Sequence, residues 1–360
     1  MHKSINLDMK LSTRIHFLNF NQDKTYFCVG TDDGYEIYNC DPFKLLLKKA
    51  VPPNGVCCLS MLYKTNVIAY VKKDNTFEKN EEKNVVVYNE EDNNIISVLQ
   101  FKDVVRNILM NRKIILISIS SCIYLYSLPI LKSLYKIELN PVCQGICSMT
   151  NILDNQFQIA CVGEKIKLTG TLDIWNFQIS EDGEGIEVPH KNTLQAHDSL
   201  IRYVTFSDDG KYIATCSEKG TLVRIFDIAS SKMLKELRRG TDQTTINWIS
   251  FSPDNKYILC RSKKGTVHVF YTDYNENRQN NNKTTYISNL LGRYFGGAKK
   301  YLPQYMNSEW GYHSIHFPGV TTISAFSHKP DTIIVISFKG IVYEIDYSNA
   351  DHVAVRKHAI

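Results

Sequence analysis

Short apolar runs rich in valine, isoleucine and tyrosine recur along the whole chain, each bounded by glycine, asparagine, aspartate or serine. That texture predicts strands rather than helices. One phrase repeats: a turn residue, then a β-rich run, then an aromatic or aliphatic residue and a polar one. It stands at Gly34–Asn39, Asn84–Asn89 and Cys122–Ser127, and again at 170–176, 220–227, 265–270 and 340–346. A second apolar run precedes each copy, as in Tyr212-Ile-Ala-Thr-Cys216.

Seven copies spaced about 40 to 50 residues apart match the period of a propeller repeat with four strands per blade. The fold class expected is all-β: a seven-bladed, WD40-like β-propeller occupying 1–360 as one domain. Closed β architectures of this length commonly form a single unit. Trp-Asp endings are few, and only Ala196-His197 resembles the usual Gly-His opening of such a repeat.

Two intervals are stretched. Residues 71–83 form a charged insertion in the second blade, expected as an exposed loop. The larger insertion, 272–309, falls in blade six. Its first part is asparagine-rich, the composition of disorder. In its second part Ile287, Leu290, Leu291, Tyr294 and Phe295 fall at helical spacing, with Arg293, Lys299 and Lys300 adding positive charge. An amphipathic stretch of that kind suits a bilayer interface. Gly292, Gly296, Gly297 and Pro303 oppose a stable helix in water, so folding on lipid is expected.

Composition adds little. A net charge of +5 and 22% charged residues fit a soluble surface and exclude nothing except strong global attraction to nucleic acid. The ten cysteines are scattered through strand-like runs without metal spacing, as expected of reduced thiols packed as small hydrophobes in a cytosolic protein. No secretory signal is read at the start of the chain. Residues 114–131 lack charge and approach the length of a membrane span, yet four serines and Pro129 predict two buried strands and a turn.

Candidate chemistry centres on Leu237-Arg238-Arg239-Gly240, between two neighbouring blades. Successive residues of a strand point to opposite faces, so the two guanidinium groups must diverge. Around Arg238 the repeat gathers His197, Ser217, Lys219, Thr221 and Arg224. Around Arg239, Thr244, Thr245, Arg261, Ser262, Lys263, Lys264 and His268 hold corresponding places. Guanidinium, hydroxyl and imidazole donors form short, strong bonds to phosphate oxygens. A histidine beside phosphate would favour its charged form, implying tighter binding at mildly acidic pH.

The stretches Ala-Thr-Cys-Ser-Glu-Lys-Gly-Thr-Leu-Val-Arg-Ile-Phe (214–226), Leu-Arg-Arg-Gly (237–240) and Thr-Val-His-Val-Phe (266–270) resemble the PROPPIN, or WIPI-type, family. Those proteins are seven-bladed propellers that bind polyphosphoinositides through a Phe/Leu-Arg-Arg-Gly motif. The resemblance implies a first headgroup site at His197, Ser217, Lys219, Thr221, Arg224 and Arg238. It implies a second at Arg239, Thr244, Thr245, Arg261, Ser262 and His268, with phosphatidylinositol 3-phosphate and the 3,5-bisphosphate as lipids. Leu237 in place of phenylalanine is expected to pack inward. The long insertion matches, in position and character, the family's membrane-inserting loop between the third and fourth strands of blade six.

The function implied is a non-enzymatic peripheral membrane adaptor, cytosolic and reversibly recruited to autophagosomal, endosomal, vacuolar or plastid membranes. It would recruit autophagy-type lipid-transfer or lipid-conjugation machinery through surfaces near 71–83 and 102–112. The alternative is a WD-repeat scaffold that binds only proteins. Catalysis is not expected: nucleophile elbow, P-loop and metal-spaced histidines are all missing from the sequence. Nor are a cofactor, a metal or a nucleic-acid partner expected.

Overall fold

The alternation of buried and exposed positions becomes seven antiparallel sheets arranged as blades. The computed structural model describes residues 3–4, 13–163, 170–180, 185–272, 309–310, 313–317, 319–348 and 354–360. All seven repeated phrases become third strands of blades: Gly34–Asn39, Asn84–Asn89, Cys122–Ser127, Thr171–Gln178, Leu222–Asp227, Thr266–Tyr271 and Ile341–Asp346. The uncharged stretch forms Ile114–Ile119 and Cys122–Ser127, two adjacent strands of blade 3. Among the described residues no helix is long and apolar enough to cross a membrane.

Both faces of each blade are covered by its neighbours, so inner strands read as nearly continuous apolar runs while outer strands alternate. Ile114–Ile119 is buried throughout, whereas Lys44–Ala50, on an outer edge, is mostly exposed. The hydrophobic core is correspondingly divided into seven clusters, one at each seam between blades.

Blade 7 is built wholly from the C-terminal part of the described chain and blade 1 from the N-terminal part, so side chains close the ring between them. Ile15, Leu18 and Val29 pack on Ile323, Ile334 and Ile336. Phe43 stacks on His358 with centroids 4.6 Å apart, and Lys329 reaches Asp41 at 2.9 Å. On the far rim Lys24 spans from blade 1 to Asp208 of blade 5 at 2.6 Å.

Two short strands augment the plan. Lys3–Ser4 lies parallel to His313–His316 on the outer edge of blade 6, and Glu309–Trp310 lies parallel to Leu237 and Arg238 on blade 5. Residues 272–309 therefore connect the third strand of blade 6 to its fourth, and their return end pairs through the backbone with the arginine motif. The helical expectation for Ile287, Leu290, Leu291, Tyr294 and Phe295 lies outside the described residues. The insertion in blade 2 is shorter than expected: Val71 and Lys72 belong to the strand Val67–Lys72, and Glu81–Lys83 forms a 3-10 turn. Between them Phe77 is fully exposed. In 102–112, Val105, Ile108 and Met110 are buried in the innermost strand of blade 3, leaving Lys102, Arg106 and Arg112 on the surface.

Candidate anion-binding seams around the arginine pair

The outer strand of blade 5, Met233–Arg238, determines where the motif points. Leu237 is fully buried in the seam with blade 6, beside Val223, Cys216 and Phe270. It anchors the strand by its side chain, as expected. Arg238 takes the opposite face, level with Leu222 and on the same side as Glu236 and Arg224, toward blade 4. Arg239 turns back toward blade 6, close enough to Cys260 for its charge to act on that thiol. Each arginine, taken as a whole residue, is more than nine-tenths buried. The two flank Leu237 from opposite seams.

A glycine turn holds this arrangement. Gly220 adopts φ +58°, and a Cβ there would stand 1.7 Å from the Thr244 carbonyl oxygen. Only glycine fits so close an approach at a left-handed backbone. Its carbonyl accepts the Arg239 Nε–H at 2.9 Å, and the neighbouring Thr221 carbonyl accepts the Arg239 backbone N–H at 2.9 Å. The Thr244 N–H donates to the Lys219 carbonyl at 3.2 Å. The turn from Ser217 to Thr221 is thus clipped both to Arg239 and to the loop at Thr244.

On the blade 4 side, His197 Nε2 meets Thr215 Oγ1 at 3.0 Å, with the histidine almost fully buried. Burial, and next the Arg224 charge, push its pKa down to about 4. Without a bound anion the imidazole is therefore neutral near pH 7. Arg224 donates through Nε to Glu236 Oε2 at 2.9 Å and through Nη1 to the Ala196 carbonyl at 2.8 Å. It is a braced cation with an attendant carboxylate. Ser217 is buried, Thr221 half-buried and Lys219 exposed beside it. Glu236 was missed in the sequence, though it precedes Arg238 by two residues and so shares its face. Replacing Glu236 with Gln is expected to tighten binding of a soluble inositol phosphate headgroup about threefold, the scale of a half-exposed ion pair. Weaker binding in a calorimetric titration would show that Glu236 positions Arg224 instead.

On the blade 6 side, Arg239 Nη2 also donates to the Asp242 carbonyl, while the Asp242 carboxylate takes Lys264 Nζ at 2.9 Å. Cys260, Ser262, Thr266, His268 and Phe270 share the face turned to blade 5: Cys260 and Phe270 belong to that seam, and the others follow by alternation. Ser262 Oγ is buried with no hydrogen-bond partner. His268 is half-buried, and Thr266 Oγ1 meets His316 Nδ1 at 3.1 Å. Thr244 is half-buried and Thr245 exposed at the rim. Arg261 departs from the set. It lies on the opposite face of its strand with Leu259, in the seam with blade 7, and donates to the Val320 carbonyl at 2.7 Å. It does not join Arg239 as expected, because neighbours along a strand diverge, the same rule that separates Arg238 from Arg239. His316 escaped notice because the fourth strand of blade 6 resumes only after the long insertion.

The fold is a seven-bladed propeller whose Arg238 and Arg239 enter different seams of blade 5. A family model described as PROPPIN matches residues 14–352, and the chain belongs to that family. It is similar to Autophagy-related protein 18 of Yarrowia lipolytica, 26% identical with 93% of this chain and 92% of the relative covered. The Dictyostelium discoideum protein of the same name is also 26% identical, with 96% and 92% covered. Among solved structures, Kluyveromyces lactis Hsv2 with its complete loop 6CD superposes with a TM-score of 0.74 at 21% identity, over 97% of this chain and all of that one. A complex of KlAtg21 with the coiled coil of AgAtg16 gives 0.72 at 23% identity, over 96% and 99%.

Proposed function

We propose that this protein is a non-enzymatic, autophagy-type membrane adaptor that binds phosphatidylinositol 3-phosphate, the 3,5-bisphosphate, or both. The observation that carries the reading is the opposed aim of Arg238 and Arg239 into two different seams, each with hydroxyl and imidazole side chains nearby. One headgroup would sit with Ser217, Lys219, Thr221, Arg224 and Arg238. A second would sit with Arg239, Thr244, Thr245, Ser262 and His268, joined here by Thr266 and His316. Bound in both, the propeller stands edge-on, and the stretch 272–309 supplies a further contact through Ile287, Leu290, Leu291, Tyr294 and Phe295. Its return end at Glu309–Trp310 pairs with the backbone of Leu237 and Arg238, which couples that contact to the first recess. The likeness to KlAtg21 in complex with the coiled coil of AgAtg16 supports a protein partner of that kind.

Flotation of the purified protein on vesicles tests the reading. Vesicles with either 3-phosphoinositide should carry the protein to the top of the gradient, whereas unphosphorylated phosphatidylinositol should not. Equal flotation on all three would leave only nonspecific charge and defeat the proposal.

A further inference from the structure

Among the described residues Arg261 is the bulkiest of the fully enclosed side chains, at 1% exposure. Its Nη2 donates to the Val320 carbonyl, but Nε and Nη1 have no hydrogen-bond partner. Burial alone pushes its pKa down, to about 10, with no carboxylate charge opposing the shift. An arginine keeps its proton at neutral pH, so a full positive charge sits in the seam between blades 6 and 7. A buried charge without compensation is strongly disfavoured.

The surrounding groups have the same unfinished character. Trp248 is the cross-strand partner of Arg261, and its Nε1–H is buried and unpartnered. Opposite, Thr322, Ser324 and Phe326 alternate onto the face turned to blade 6, where Phe326 meets Tyr257 at 6.5 Å between centroids. Arg261 bonds the Val320 carbonyl, two residues before Thr322, which brings Thr322 to the Arg261 end of the seam. Thr322 Oγ1 and Ser324 Oγ are both buried with no partner. The third strand of blade 7 brings the buried Tyr343 hydroxyl to the same seam, again unpartnered. Every one of these groups can donate a hydrogen bond, and none is an acid.

We infer that the seam between blades 6 and 7 is a third anion site, taking a small inorganic oxyanion of the phosphate class held by Arg261, Thr322 and Ser324. Donors arriving from both blades favour a tetrahedral anion with several acceptor oxygens over a single-centred halide. The site is independent of the two lipid recesses, because Arg261 and Arg239 lie in different seams. Enclosure of Arg261, Thr322 and Ser324 at 1%, 1% and 0% exposure suits a free ion rather than a headgroup tethered to a bilayer.

The test uses the full chain carrying Arg238→Thr and Arg239→Thr, so that the blade 5 seams no longer respond. Titration with inorganic phosphate should raise its melting temperature by several degrees near saturation, as mass action requires of a ligand of the native state. Adding Arg261→Met should weaken that response at least about tenfold, the scale of losing a charge-assisted contact. Should that variant fail to fold, Thr322→Val and Ser324→Ala must each weaken it several-fold. A response equal in chloride would overturn the oxyanion assignment. The site itself is overturned by no response, or by one that ignores all three substitutions. Arg261-dependent flotation of the arginine-pair variant on phosphoinositide vesicles would likewise overturn it, by making the seam a lipid site.

Discussion

Replacing Arg238 and Arg239 together with threonine is expected to reduce binding to 3-phosphoinositide vesicles by about 100-fold or more. On the proposed reading, each recess alone would hold one headgroup with modest strength. Engaging the second on the same bilayer is then an intramolecular event, and its gain is multiplicative. Removing both cations removes both events. Either single variant keeps one recess and should fall between wild type and the pair. A titration with soluble headgroup separates this geometry from a shared cleft: about two equivalents for wild type, one for each single variant and none for the double. A single variant that already abolishes all binding, or unchanged flotation of the double, would reject two independent recesses. The fold should survive, because Leu237 anchors the strand in the seam and remains in place. Arg239 bonds to the Gly220 and Asp242 carbonyls, however, so some stability is lost with it. Retained β-structure by circular dichroism is the necessary control.

What could be read from the sequence followed from periods of two and of about forty-five residues. Third strands announced themselves because each is a short apolar run between a turn residue and a polar end, and all seven fall where the repeat placed them. The opposed arginines were legible for the same reason: alternation along one strand is a local rule. The same rule parts Arg261 from Ser262, since one faces blade 7 and the other blade 5. Glu236 was equally within reach. What the sequence hid were relations across the ring. Nothing local to His313–His316 says that it resumes blade 6, or that Lys3–Ser4 will lie against it. The environment of His197 was hidden too, because its neutrality depends on enclosure by two blades and on an arginine 27 positions away in the chain.

That histidine makes acid a destabilising condition. His197 in the native state has a pKa of about 4, while an exposed histidine in the unfolded chain titrates near 6.5. Above about pH 6.5 both states hold it neutral and its contribution to stability is complete. As pH falls toward 4 the unfolded chain takes up a proton that the native seam refuses, and stability is lost across that window. The loss expected by about pH 5 is on the order of 2 kcal/mol. Carboxylates such as Asp209 and Asp227, held below their ordinary range by hydrogen bonds from Ser207 and Ser230 among others, act lower, so the histidine window stands apart from theirs. Urea midpoints at neutral pH and at about pH 5 measure the effect, and His197→Gln should flatten the difference while giving up some stability at neutral pH through its altered contact with Thr215. An identical acid slope in the variant would show that His197 is not the group responsible.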